Sequence, residues 1–277
     1  MDADRIHDNR MNNALNESPQ QQTADDDINS TRSPKKGWAG FFETMIRKFQ
    51  TIAFLICLIP LILMTVSCIG ISLAPGIYVF MRLSMFVADQ SMPVQALVYG
   101  LASGLAVVLF IITLIFVVPL FNLPVRPFVK SYRGAWYSLE AIPWYYHNAL
   151  TYIVRYTILD FLTPSPLNIL FFKMMGMRIG KGAIINTSNI SDPCLIIIED
   201  YVTVGGSVYM MAHYGMKGYL IIDKLHLKRG AMIGLGAKLL GGVTIGEKAT
   251  VLPNSAVLPK TTVGSKEKFG VISIVQN

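Results

Sequence analysis

Residues 227–263 read LKRGAMIGLGAKLLGGVTIGEKATVLPNSAVLPKTTV. Every sixth position from the first is aliphatic: Leu227, Ile233, Leu239, Ile245, Val251, Val257 and Val263. The fourth residue after each of the first six is small or β-branched: Ala231, Ala237, Val243, Ala249, Ser255 and Thr261. One inward aliphatic per hexad fits a flat face of a three-sided solenoid, in which three hexads close a coil and successive coils stack their aliphatics into one core. Gly234, Gly246 and Gly264 follow aliphatic positions, where a sharp corner between short strands favours a residue without a side chain. The same period occurs earlier at Ile179 and Ile185, and at Ile198, Val204 and Met210. Counting by six from Met210 reaches 216 and 222, whereas the later run starts at 227, so residues 214–224 are expected to leave the solenoid as a loop.

Outward from the repeat, the chain turns strongly apolar. Of 277 residues, 52% are hydrophobic and 15% charged, and mean hydropathy is positive, which points to membrane segments rather than an ordinary soluble domain. No charge lies between Lys48 and Arg82, or within residues 91–125. Each stretch exceeds the roughly 20 helical residues that cross a hydrocarbon core. The pair predicts a transmembrane helical hairpin, kinked at Pro60, with Gly100, Ala102, Ser103, Gly104 and Ala106 offering a close-packed seam. Arg32, Lys35, Lys36, Arg47 and Lys48 precede it and Arg126, Lys130 and Arg133 follow, against Arg82 alone in the connection. Both termini, and with them the solenoid, are therefore expected in the cytoplasm of a two-helix membrane protein. Residues 135–175 are dense in aromatics, including Trp136, Tyr137, Trp144, Tyr145, Tyr146, Tyr152, Tyr156 and Phe161, which suits an interfacial helical segment lying on the membrane or packed on the solenoid. The expected divisions are a disordered acidic tail at 1–36, the two-helix region at 37–134, the aromatic segment at 135–175, the β-helix at 176–265 and a short tail at 266–277.

The net charge is +7, with seven acids and two bases in the first 31 residues, so the remainder is distinctly basic. Lipid headgroups or a phosphorylated cosubstrate suit such an excess, whereas nucleic acid does not, because the bases flank apolar segments without interleaved aromatics. Cys57, Cys68 and Cys194 have no metal-ligand spacing and read as inert thiols, and no metal site is expected.

The segments IGKGAI, IEDYVTVGGSV and IGLGAKLLGGVTIGEKATVLPNSAVLP resemble the hexapeptide-repeat acyltransferases, which fold as a left-handed parallel β-helix. More narrowly, the helical pair, the aromatic segment and TPSPLNILFFKMMGMRIGKGAIINTSNISDPCLIIIEDYVTVGGSVYMMAHY look similar to the membrane-bound β-helix domain that ends polylysine-synthetase-type nonribosomal peptide synthetases. The resemblance implies a homotrimer, acyl-coenzyme A as cosubstrate and an amine or hydroxyl acceptor. Such transfer needs a base for the acceptor's proton, and no metal or covalent intermediate. His213, in MMAHYGMK beside the expected loop, matches the family's catalytic base. Its orienting partner is open among Asp223, Glu199, Asp200 and a backbone carbonyl, and His226 is a second candidate base. For coenzyme A the candidates are backbone contacts at Gly234, Gly236 and Ala237 and phosphate partners among Arg229, Lys238, Lys248 and Lys260. Asn186, Asn189 and Asp192, in the repeat-breaking INTSNISDP, either bind the acceptor or make turns. Three competing readings remain: a noncatalytic membrane-tethered β-helix scaffold, a zinc enzyme of the same fold, which needs three histidines where the repeat has two, and a transporter, for which the helices lack an intramembrane charge.

Overall fold

The computed structural model describes residues 30–270, so most of the expected N-terminal tail, His7 included, and residues 271–277 lie outside the described residues. The helices are α1 (Gly37–Lys48), α2 (Gln50–Phe86), α3 (Met92–Asn122), α4 (Ala141–Val154) and α5 (Pro166–Met174). Short strands follow from Arg178–Ile179 to Lys268–Phe269.

Those strands form three parallel sheets of five, five and four, one for each side of a parallel β-helix. The hexad phase decides the core: all seven aliphatics from Leu227 to Val263, and Ala231, Ala237, Val243 and Ala249, are 1% exposed or less. The final strand, Lys268–Phe269, pairs with Thr250–Val251 and carries the solenoid past the expected end at 265. The corners fall elsewhere than Gly234 and Gly246. Left-handed backbone recurs every six residues at Gly230, Gly236, Gly242, Lys248, Asn254, Lys260 and Lys266. What requires glycine at 234 is the neighbouring coil, since a Cβ there would stand 2.5 Å from the Pro253 nitrogen.

Leu227 pairs with Ile245, eighteen residues on, but with Ile198, twenty-nine residues back. The eleven extra residues are a β-hairpin rather than an irregular loop: His213–Met216 runs antiparallel to Tyr219–Ile222. Lys217 and Gly218 turn it with positive φ at both positions, as a two-residue hairpin of matching twist requires. Strand Tyr132–Ala135 adds to its far edge, so the extruded segment ties the solenoid to the chain entering α4.

Helices α2 and α3 are long and apolar enough to cross a membrane, and little of either is buried within the chain. Helix α2 continues through Pro60 and Pro75. The α2–α3 seam uses only part of the expected small-residue set. Ala102 is buried and Ala106 crowds Gly76, but Gly100, Ser103 and Gly104 face outward, because 3.6 residues per turn put 100 and 104 opposite 102. Helix α1 is an inverted amphipath: Trp38, Phe41 and Phe42 are 80%, 54% and 55% exposed, whereas Glu43 and Arg47 are 1% and 7% exposed and joined at 2.8 Å.

At the α3–α4 junction, His147 is fully buried, with Nδ1 2.8 Å from the Asn122 Oδ1 it donates to and Nε2 without a partner among the described residues. Burial pushes its pKa down to about 4, the charge of Arg126 adding to that and Asp192 opposing it. The unfolded chain therefore binds the proton first as pH falls, so this group's contribution is full above pH 6.5 and lost by about pH 4. Thermal unfolding of detergent-solubilised protein is expected to lose about 3 kcal/mol across that window through this residue. A pH-independent stability from 6.5 to 4 would contradict it.

Candidate active site

One face of α4 builds the site. Trp144, Asn148 and Tyr152 recur at four-residue spacing and so share a side of the helix, and that side lies on Ser191 and Asp192 of the first coil. Asp192 is fully buried and its backbone is left-handed, φ 59°, a conformation that costs a non-glycine residue about 1–3 kcal/mol unless its surroundings enforce it. Asn148 does so from both sides, accepting the Asp192 N–H at 3.2 Å and donating its own amide to the carboxylate. Trp144 Nε1 donates to the same oxygen at 2.7 Å.

The second carboxylate oxygen lies 2.6 Å from Nδ1 of His213, at the base of the extruded hairpin. Burial alone would raise the Asp192 pKa, but the hydrogen bond and charge of His213 and the Asn148 amide outweigh it and hold the carboxyl below its usual range. An ionised carboxylate only accepts, so Nδ1 carries the hydrogen and Nε2 of the neutral ring holds the lone pair. The Trp144 ring stands edge-on to the imidazole at 4.9 Å. His213 is 18% exposed and lines a cavity of about 840 Å³ bounded by α1, α2 and α4.

The three side chains expected as possible partners of His213 are engaged elsewhere. Glu199 meets His226 Nε2 at 2.7 Å and the Arg229 N–H at 2.9 Å, Asp200 accepts from the Lys181 N–H, and Asp223 accepts from the Lys224 N–H. His226 lies on another sheet and does not line the cavity. Asp192 is thus corrected from possible acceptor ligand to partner of His213. Asn189 is half-buried and engaged, accepting from Arg155 at 2.6 Å, and Asn186 is exposed away from the cavity.

The backbone candidates for coenzyme A also need correction. The N–H groups of Gly234 and Gly236 are donated to the Val251 and Gly206 carbonyls of neighbouring coils, and that of Ala237 closes the turn on the Gly234 carbonyl, so all three are consumed within the solenoid. Of the basic candidates, Lys260 packs on Gly242 at the corner that stacks over His213. Lys238 lies on the sheet leading to His213, paired with Tyr209. Arg229 and Lys248 stack at a different corner, where Arg229 covers the Tyr201 ring. Cys194 is pushed up to about 12 by burial, as an inert thiol would be.

No family model matches the chain. A stretch of 106 residues is 29% identical to Delta-poly-L-ornithine synthetase of Acinetobacter baumannii, covering 38% of this chain and 8% of that protein. The chain thus spans under a tenth of the length of the curated relative it matches. A hexapeptide-repeat containing acetyltransferase from Vibrio cholerae is similar in structure at 16% identity and a TM-score of 0.37, over 45% of this chain and 85% of that one. Serine acetyltransferase from Brucella abortus aligns at 16% identity and a TM-score of 0.30, over 48% and 54% of the two chains. The chain therefore resembles hexapeptide-repeat acetyltransferases along about half its length and a short part of a polyornithine synthetase.

Proposed function

We propose that this protein is a membrane-anchored acyltransferase that moves an acyl group, acetyl in the simplest case, from coenzyme A to an amine or hydroxyl at the cytoplasmic membrane face. The observation that carries the proposal is the pair of a fully buried, triply hydrogen-bonded Asp192 and a His213 that is oriented by it through Nδ1 and lines a cavity. The hexapeptide repeat that presents it and the resemblance of its sequence support the same reading.

His213 Nε2 takes the acceptor's proton as the acceptor's nitrogen or oxygen attacks the thioester carbonyl carbon. The tetrahedral intermediate then collapses by breaking the carbon–sulfur bond, and the imidazolium returns the proton to the coenzyme A thiolate. Asp192 holds the ring in the tautomer that leaves Nε2 basic and offsets the charge it gains. Coenzyme A lies on the outer solenoid face, with Lys260 and Lys238 as the phosphate partners nearest His213 and Arg229 and Lys248 as more remote ones. Helices α2 and α3, long and apolar enough to cross a membrane, serve as the anchor in this reading, and the bases flanking them support cytoplasmic termini. A homotrimer supplies the second wall of the coenzyme A groove, while α4 of the same chain already walls His213.

The test is calorimetric titration of coenzyme A into detergent-purified full-length protein, with the protein mass in the micelle measured alongside. Saturable binding near one site per chain, in a trimer, is expected. No binding at millimolar ligand would overturn the donor assignment.

A further inference from the structure

The cavity at His213 has a chemical character that coenzyme A does not explain. It runs from the imidazole past Trp144, Tyr145 and Ala149 of α4 to Phe54 and Cys57 of α2. Those two residues lie in the first eight positions of a helix that then stays uncharged to Arg82. The walls are joined there, with the Phe54 and Tyr145 rings 5.6 Å apart and the Tyr146 hydroxyl donating to the Cys57 carbonyl at 2.5 Å. Among the described lining residues Arg47 is the one formal charge, and it is held by Glu43. A polyphosphate finds no partner in such a lining, and the solenoid's lysines lie outside it.

The third wall is α1, whose exposed Trp38, Phe41 and Phe42 and inward Glu43 and Arg47 invert the pattern of a water-facing helix. A helix with that outer face belongs at the boundary of headgroups and acyl chains. The side of the cavity lined by α1 and the start of α2 therefore lies at membrane level, while His213 lines its solenoid side.

We infer that the acceptor is a membrane-resident amphiphile, a lipid-like molecule with a primary amine or hydroxyl at its head. It enters from the bilayer interface, its apolar part lying along α2 and α4 and its head reaching Nε2 of His213. This rests on the acyltransferase reading and names the acceptor class for that site. The two substrates approach His213 from opposite sides, the soluble donor along the solenoid and the acceptor from the membrane. The reaction remains the transfer written above, in which the head's nitrogen–carbon or oxygen–carbon bond forms as the thioester bond breaks.

The experiment uses the full chain in detergent micelles, acetyl-coenzyme A, and n-alkylamines and n-alcohols from four to twelve carbons, with release of the coenzyme A thiol as readout. The expected kcat/KM for His213-dependent transfer rises about fourfold per methylene over several carbons, the factor that burial of a CH₂ confers. Ala149→Trp and Ala53→Trp, on opposite walls, should each collapse the dodecyl-to-butyl ratio toward one, and comparing variants in identical micelles cancels partitioning. Saturable coenzyme A binding by each variant establishes that it is folded. Equal rates at all acceptor lengths in the wild-type protein would overturn the membrane acceptor and leave acyl transfer standing. A length dependence found on the donor instead, octanoyl over acetyl with butylamine as acceptor and abolished by Ala149→Trp, would assign the cavity to the acyl chain and overturn the inference. Coenzyme A binding without acylation of any amine or alcohol would overturn the acyltransferase reading and this inference with it.

Discussion

His213→Ala is expected to lower kcat about 10²- to 10⁴-fold, the range that a positioned general base contributes, while the coenzyme A dissociation constant stays within about twofold. The argument is geometric. Nδ1 is committed to Asp192, so Nε2 is the ring's one remaining proton acceptor, and His213 lines the cavity from which an acceptor would approach. Alanine removes that lone pair and nothing that touches the outer solenoid face where the donor is placed. A base that acts only in the transition state lowers kcat and kcat/KM together, whereas a binding residue raises KM alone. His213→Gln, which keeps a hydrogen-bonding group but no titratable nitrogen, should fall with the alanine variant. Loss of coenzyme A binding with unchanged kcat would refute the role.

The periodic part of this chain was legible and the site was legible only in half. Seven aliphatics in a fixed phase report a core directly, because each coil repeats the same contact, and all seven are buried. The break between Met210 and Leu227 marked an insertion, but its form as a hairpin depended on strand Tyr132–Ala135, which lies far away in sequence. Corner positions were misjudged because two different demands both select glycine. Gly236 meets a positive φ, whereas Gly234 meets the close approach of Pro253. His213 was visible beside the insertion, and its partner was not. Asp192 precedes it by 21 residues, a distance no local pattern links, and the turn-like INTSNISDP concealed a carboxylate whose burial comes from α4. The available signal was the Trp144, Asn148, Tyr152 spacing, a polar and aromatic stripe on a helix that otherwise looked interfacial. Likewise, the placement of Glu43 and Arg47 on one face of α1 was readable from their spacing, but which face is buried follows only from packing.

Asp192→Asn is expected to reduce kcat about 10²- to 10⁴-fold as well, although Asp192 faces no substrate and acts as a positioning residue through His213. Its carboxylate accepts from Trp144, Asn148 and His213, and an amide of the same shape offers one accepting oxygen and an NH₂ that would confront a donor. If the amide donates to Nδ1, the ring carries its hydrogen on Nε2 and can no longer take the acceptor's proton. Asp192→Ala should go further and cost about 3–5 kcal/mol of stability, because three donors at a buried site lose their acceptor together. A purely structural role would slow the enzyme by unfolding it, so two readouts separate the cases. The asparagine variant should bind coenzyme A normally, and the double variant His213→Ala with Asp192→Asn should be no slower than His213→Ala alone, since a carboxylate that works through the imidazole has nothing left to position. Multiplicative losses in the double variant would mean that Asp192 contributes independently of His213.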